Sequence, residues 1–133
     1  MTLDEYLESI DKKEALIQGK VAEYEKLFSI ATKMTGDADG MPHGTGVTDK
    51  VGNFGVKLAY ISQQIDALID QKADIVKIME KLPPNEYRAL HRHYVLGMTW
   101  EDAAADMYIS VSTIYRLRDK GRESLRLIVD DIE

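Results

Sequence analysis

Side chains recur along the first third of the chain at Leu3, Leu7, Ile10, Glu14, Ile17, Val21, Tyr24, Phe28 and Ala31, in alternating steps of 4 and 3. A second series, Phe54, Leu58, Ile61, Ile65, Leu68, Lys72, Ile75, Met79 and Leu82, repeats the same steps. This is the spacing of a heptad seam, in which one stripe of a helix packs on another helix. The pattern predicts two long helices, over about residues 2–34 and 51–82, folded back as an antiparallel hairpin of coiled-coil type. A second chain would double it into a four-helix bundle, so a homo-oligomer through the hairpin is expected. Each seam has one charged intruder, Glu14 and Lys72. In an antiparallel pair these lie within about one helical turn of each other. Two outcomes are open: they pair and fix the register, or both snorkel to solvent at the seam's edge.

Five of the nine glycines fall in Gly36–Gly52. They predict a Gly-rich loop over 35–50 between the helices. "DADG" is not a calcium loop, because counting from Asp37 puts Met41 at the fifth position and Pro42 at the sixth. "GTGVTDK" lacks the Gly-Lys-Ser/Thr of a phosphate loop. His43 has no partner at ligand spacing. A flexible connector is the expectation.

Pro83-Pro84 divides residues 1–82 from a C-terminal block, 83–133. Proline ends one helix and is tolerated in the first turn of the next. Tyr87, Leu90, Tyr94 and Val95 are at helical spacing, and Gly97 is placed as a stop. Thr99 is an N-cap for "WEDAAADM". Glu101 and Asp102 stand in its first turn, where the helix dipole favours acids. Ala103, Ala104 and Ala105 give it a flat surface. "YI" then makes a turn, and Ser110 caps a helix that presents Ile114, Leu117 and Leu125 inward. A short helix, a tight turn and a longer helix with basic residues outward is a helix-turn-helix. The fold expectation is all-α: a long helical hairpin followed by this domain, with no β-type alternation in the chain.

Charge sharpens the picture. The net charge is −6, from 17 Lys+Arg and 23 Asp+Glu, yet Ser110–Arg126 holds five basic and two acidic residues. Local charge decides contact with phosphates. Double-stranded DNA is therefore an expected partner despite the acidic total. There is no cysteine, hence no thiolate metal site or disulfide framework. His91 and His93, two apart on a helix, point to different sides and make a poor metal pair. No nucleophile–base pairing stands out. The expectation is a non-enzymatic protein with no cofactor. No apolar run approaches a membrane span, and the charged N-terminus is unlike a signal peptide, so a cytoplasmic location without a membrane partner is expected.

The stretch "LPPNEYRALHRHYVLGMTWEDAAADMYISVSTIYRLRDKGRESL", Leu82 to Leu125, resembles the promoter-reading region four of bacterial sigma factors. The N-terminal half looks like small phage-encoded proteins of late-gene regulatory type. The resemblance implies that Val111, Ser112, Tyr115 and Arg116 face base edges in the major groove. It places Thr113, Arg118 and Lys120 near phosphates, with Thr99 and Ser110 at helix N-termini and Arg88 and His93 on the preceding helix. Arg116 suits a bidentate pair with guanine, Ser112 bonds either way and Val111 suits a thymine methyl. The chain departs from the pattern at three points. Val111 and Ser112 stand where charged residues are common, His93 replaces a usual arginine, and Gly121 replaces a usual alanine at about 1 kcal/mol of helix propensity. Arg122 and Arg126 read as a solvated face, and Trp100 and Met107 as core. The implied function is a phage or prophage transcriptional regulator that binds duplex DNA. The alternatives are a DNA-packaging adaptor of the terminase small-subunit kind, or a protein–protein module docking on RNA polymerase.

Overall fold

The computed structural model describes the backbone of residues 1–36 and 45–132, and the side chains of residues 1–33 and 53–132. The described residues form helices and no strand. Two long helices come first, α1 (Leu3–Gly36) and α2 (Thr45–Val76). A 3₁₀ segment, Lys77–Lys81, prolongs α2. Three shorter helices follow: α3 (Pro84–Leu90), α4 (Trp100–Asp106) and α5 (Val111–Asp130). The all-α expectation holds, while α2 starts earlier than the predicted Val51. Glycines 46, 52 and 55 lie within it. A glycine inside a helix costs about 1 kcal/mol against alanine, which weakens a helix without ending it. Residues 37–44 lie outside the described residues, and with them the "DADG" and His43 of the connector.

The chain divides into two compact units, residues 1–14 with 71–133, and residues 15–70. In the first unit, "TLDE" opens α1 with a reciprocal cap. The Glu5 amide donates to Thr2 Oγ1 at 3.1 Å, and the Thr2 amide to Glu5 Oε2 at 3.5 Å. Tyr6, Leu7 and Ile10 from α1 are buried with Met79, Leu82, Leu90, Leu125 and Val129. Tyr6 is fully enclosed, and its hydroxyl donates to the Ile75 carbonyl at 2.6 Å. That bond satisfies both the buried phenol and a carbonyl near the end of α2. Lys72 Nζ lies 2.5 Å from Glu14 Oε2, with the lysine side chain 16% exposed. The two seam intruders are therefore paired. Beside them, Lys13 Nζ donates to Gln71 Oε1 at 2.7 Å.

Leu82 is extended (φ −74°, ψ 155°), as the residue before a proline must be, and Pro84 starts α3. The end of α3 widens into a π-helical turn, His91–Val95, that the residue spacing did not signal. Gly97 then adopts φ +75° and stops the helix. Ala89, Ala103, Ala104 and Ile114 form a second buried cluster where α3, α4 and α5 meet. Ala105 is exposed, so the flat surface is made by two alanines rather than three. Gly121 is buried, and a Cβ there would lie 3.0 Å from Leu90 Cδ1 and 3.4 Å from Glu86 Cβ. The glycine thus lets α5 approach α3 closely, which its low helix propensity alone did not reveal.

In the second unit the inner seams hold, with one shift. Ile61 is buried, and Phe54, Leu58, Ile65 and Leu68 are half-buried. On α1, Ile17, Val21 and Tyr24 are half-buried, but Phe28 is exposed and Leu27 is half-buried. The covered stripe on α1 thus moves back by one residue at this point.

Two outcomes test this packing. Lys72→Glu opposes two carboxylates and should lower the unfolding free energy by on the order of 1–3 kcal/mol, between exposed and buried pairs. The exchange Glu14→Lys with Lys72→Glu should recover most of it in urea denaturation; no recovery would remove the pair as a register element. Gly121→Leu should destabilise by about 1–3 kcal/mol through overpacking on Leu90, measured the same way. An unchanged urea midpoint would mean the α3–α5 approach is not tight.

Candidate nucleic-acid interface

The α4–turn–α5 element is built by two hydroxyl caps. Thr99 Oγ1 accepts from the Asp102 amide at 3.0 Å, and Ser110 Oγ accepts from the Thr113 amide at 3.1 Å. Each satisfies an amide that a helix start leaves open. The Thr113 hydroxyl lies 2.8 Å from Ser110 Oγ, so both expected phosphate-side hydroxyls are tied together at the cap. The turn between the helices is closed by the Ile109 amide, which donates to the Ala104 carbonyl at 3.0 Å. Tyr108 sits in it at φ 58°, a left-handed conformation unusual for a non-glycine residue, with its side chain 95% exposed.

On α5, Ile114, Gly121, Leu125 and Val129 are buried. Ser112, Arg116, Asp119 and Lys120 lie on the other side and are exposed, as is Val111. Ser112, Arg116 and Asp119 follow at i, i+4 and i+7, which puts them along one line of the helix. Arg116 and Lys120 make no ion pair among the described residues. Arg118 is held differently. Its Nε donates to Asp119 Oδ1 at 2.9 Å, and its guanidinium lies 4.8 Å from the Tyr115 ring centre and 6.0 Å from that of Trp100. The bond and charge of Asp119 raise its pKa. The pair places a positive group beside the acid on the exposed line.

Tyr115 is half-buried, and its hydroxyl donates to Glu101 Oε1 at 2.5 Å. That bond lowers the Glu101 pKa and raises that of Tyr115. It ties the first turn of α4 to α5 and leaves an ionised carboxylate at the edge of the exposed face. Glu101 was read in the sequence only as a first-turn acid. Its partner lies fourteen residues on, beyond any local pattern.

His93 does not sit as a free phosphate donor. Its ring stacks on Trp100 at 3.9 Å, and its Nδ1 lies 2.7 Å from the Met98 carbonyl oxygen. Trp100 and Met107 are half-buried against the core, as expected. Arg88 is exposed on α3 and borders a cleft of ≈ 340 Å³ with Arg92, Asp106, Tyr108 and Thr113. Arg92 Nε donates to Asp106 Oδ2 at 2.6 Å, a lock between α3's extension and the end of α4. Arg122 donates to the Tyr94 hydroxyl. Arg126 bonds Glu123 at 2.6 Å and Asp130 at 3.2 Å. These two arginines are thus engaged within the fold. The structure brings Ser112, Arg116 and Lys120 onto the exposed side of α5, with half-buried Tyr115 and, at the first turn, Val111 toward the border of the buried side. It leaves Arg88 apart on α3, and Thr99, Ser110 and Thr113 at the caps. Among the described residues no cluster of acids and histidines fits a metal ion.

Residues 72–125 match the family model of sigma-70 region 4 and form a helix-turn-helix of that kind. The match begins within α2, close to the start of the C-terminal part of the first compact unit. No curated protein and no solved structure matches the chain. No helix among the described residues is long and apolar enough to cross a membrane.

Glu101 offers a direct test of which surface meets phosphate. Glu101→Gln keeps an acceptor for Tyr115 and removes one negative charge. Duplex affinity should rise several-fold at low salt, with the gain shrinking at high salt, read by fluorescence anisotropy. Equal affinity at both salts would place Glu101 away from the DNA.

Proposed function

We propose that this chain is a transcriptional regulator that binds duplex DNA through the exposed side of α5 and acts at promoters. The observation that carries the reading is the exposed side of α5 with Ser112, Arg116 and Lys120, its two cations without an ion pair among the described residues, on a capped second helix of a sigma region 4-like helix-turn-helix. An α-helix fits the major groove of B-DNA, and its outward side chains meet base edges there. Arg116 is the base reader, as a bidentate donor to guanine, with Ser112 and Val111 beside it. Lys120, Arg118 and Arg88 supply phosphate contacts, and the helix starts at Thr99 and Ser110 approach the backbone. Tyr115 is positioned by Glu101, and His93 supports Trp100 beneath the face.

The working parts under this reading are residues 1–82, the helical pair, and residues 83–133, the DNA-contacting part. Sigma region 4 domains bind DNA and RNA polymerase, so polymerase is the second proposed partner, and the site of action is the cytoplasm. Phage or prophage origin is part of the proposal and rests on the resemblance of the N-terminal half to small phage regulators. The helical pair serves assembly.

Charge reversal is the test. Arg116→Glu with Lys120→Glu should abolish binding to a duplex pool at moderate salt. Lys120→Ala alone should weaken all duplexes about equally and reduce the salt slope by about one, whereas Arg116→Ala should relax sequence preference. Undiminished binding by the double variant would overturn the assignment of this face.

A further inference from the structure

The second unit, residues 15–70, is poor in buried side chains. Among the described residues Ile61 is its one buried apolar residue, and every other buried apolar residue lies in the first unit. Two helices alone cover one stripe of each other and leave the rest to solvent, which is why helical pairs are completed by further helices. The exposed and half-buried residues beside the inner seam are not scattered. On α1, Leu16, Lys20, Glu23, Leu27 and Ile30 follow in steps of 4, 3, 4 and 3. On α2, Lys57, Tyr60, Gln64 and Ala67 follow in steps of 3, 4 and 3. Each series is the inner seam moved back by one residue, hence rotated by about 100°. In antiparallel helices equal rotations bring both stripes to the same flank. The structure has a groove on that flank: Lys20, Glu23 and Leu27 line it from α1, and Val56, Lys57 and Tyr60 from α2. Its volume is ≈ 420 Å³ and its walls are mainly apolar. Val56 is 69% and Tyr60 61% exposed there.

We infer that this groove is the interface for a second copy of the chain, which packs its own groove flank against it to make a four-helix bundle. The inference deepens the assembly role proposed above by naming the face and the occupant. Three features select a second copy. A second heptad stripe on both helices is the pattern of helix-on-helix packing, not of a ligand pocket. The rim carries both signs, Lys20, Lys57 and Glu23, so like faces meet without uniform repulsion, as an isologous twofold contact requires. The area also suffices. At ~1.5 Å per residue the α1 arm of this unit is ~33 Å long, and two helices side by side are roughly 20 Å across. The face is therefore on the order of 700 Å², close to the ~800 Å² per partner of a stable interface.

Sedimentation equilibrium of the full chain should show a dimer. Val56→Glu and Tyr60→Glu, both at exposed positions, should each raise the dimer dissociation constant at least ~10-fold, equivalent to ~1.4 kcal/mol, with helix content unchanged by circular dichroism. Glu23→Lys, which makes the rim wholly basic, should weaken association in the same way. Ser62→Glu, on the opposite flank of α2, should leave the dimer intact. A wild-type chain that stays monomeric at tens of micromolar would overturn the inference. So would a larger assembly, or a dimer indifferent to Val56→Glu and Tyr60→Glu. A monomer that binds duplex DNA would sink this inference alone, and a dimer that binds none would sink the DNA reading alone.

Discussion

The helix-turn-helix depends on a core that it does not supply by itself. Leu90, Leu125 and Val129 of the C-terminal block are closed over by Tyr6, Leu7 and Ile10 from the first helix and by Met79 and Leu82 from the end of the second. A block of about fifty residues buries too small a share of its surface to be secure alone. Here the shortfall is met by the chain's first fourteen residues. Tyr6 links the two contributions, because its ring fills the core and its hydroxyl caps a carbonyl of α2. The Glu14–Lys72 pair stands at the edge of the same unit and fixes the height at which α1 meets α2. The orientation of α5 follows, since its inner side rests on this core and Gly121 sets how near it comes to α3.

On that frame the exposed side of α5 is shaped by local charge pairing. The face is not uniformly basic. Asp119 and Glu101 both lie beside it, and each has a partner that limits its effect: Arg118 for the first and the Tyr115 hydroxyl for the second. Arg122 and Arg126 are engaged by Tyr94, Glu123 and Asp130. The cations left outward are Arg116 and Lys120. An acidic chain can present a site for phosphate this way, because exposed charges farther off than about 10 Å are screened.

Much of this architecture was legible in the sequence, and the reasons differ by element. The seams of α1 and α2, the caps at Thr99 and Ser110 and the stop at Gly97 are local signals with local causes. The two charges in the seams marked where the helices meet but left open whether they pair, and the structure joins them. What was missed depends on contacts across the chain. The π-helical turn at His91–Val95 has no periodicity of its own. The Glu101–Tyr115 and Arg92–Asp106 bonds each join residues fourteen apart on different helices. The resemblance placed His93 at a usual arginine position, whereas its ring is held by Trp100 and the Met98 carbonyl. Gly121 looked like a propensity loss, and its reason is a neighbouring leucine thirty-one positions back.

The central claim is that one side of α5 meets DNA while residues 15–70 do not. Amide chemical-shift mapping of the labelled chain against a bound duplex tests it directly. The account predicts shifts concentrated at residues 110–120, with smaller ones near Arg88 and Thr99 and none along residues 15–33. Shifts along residues 15–33 with residues 110–120 unmoved would contradict it.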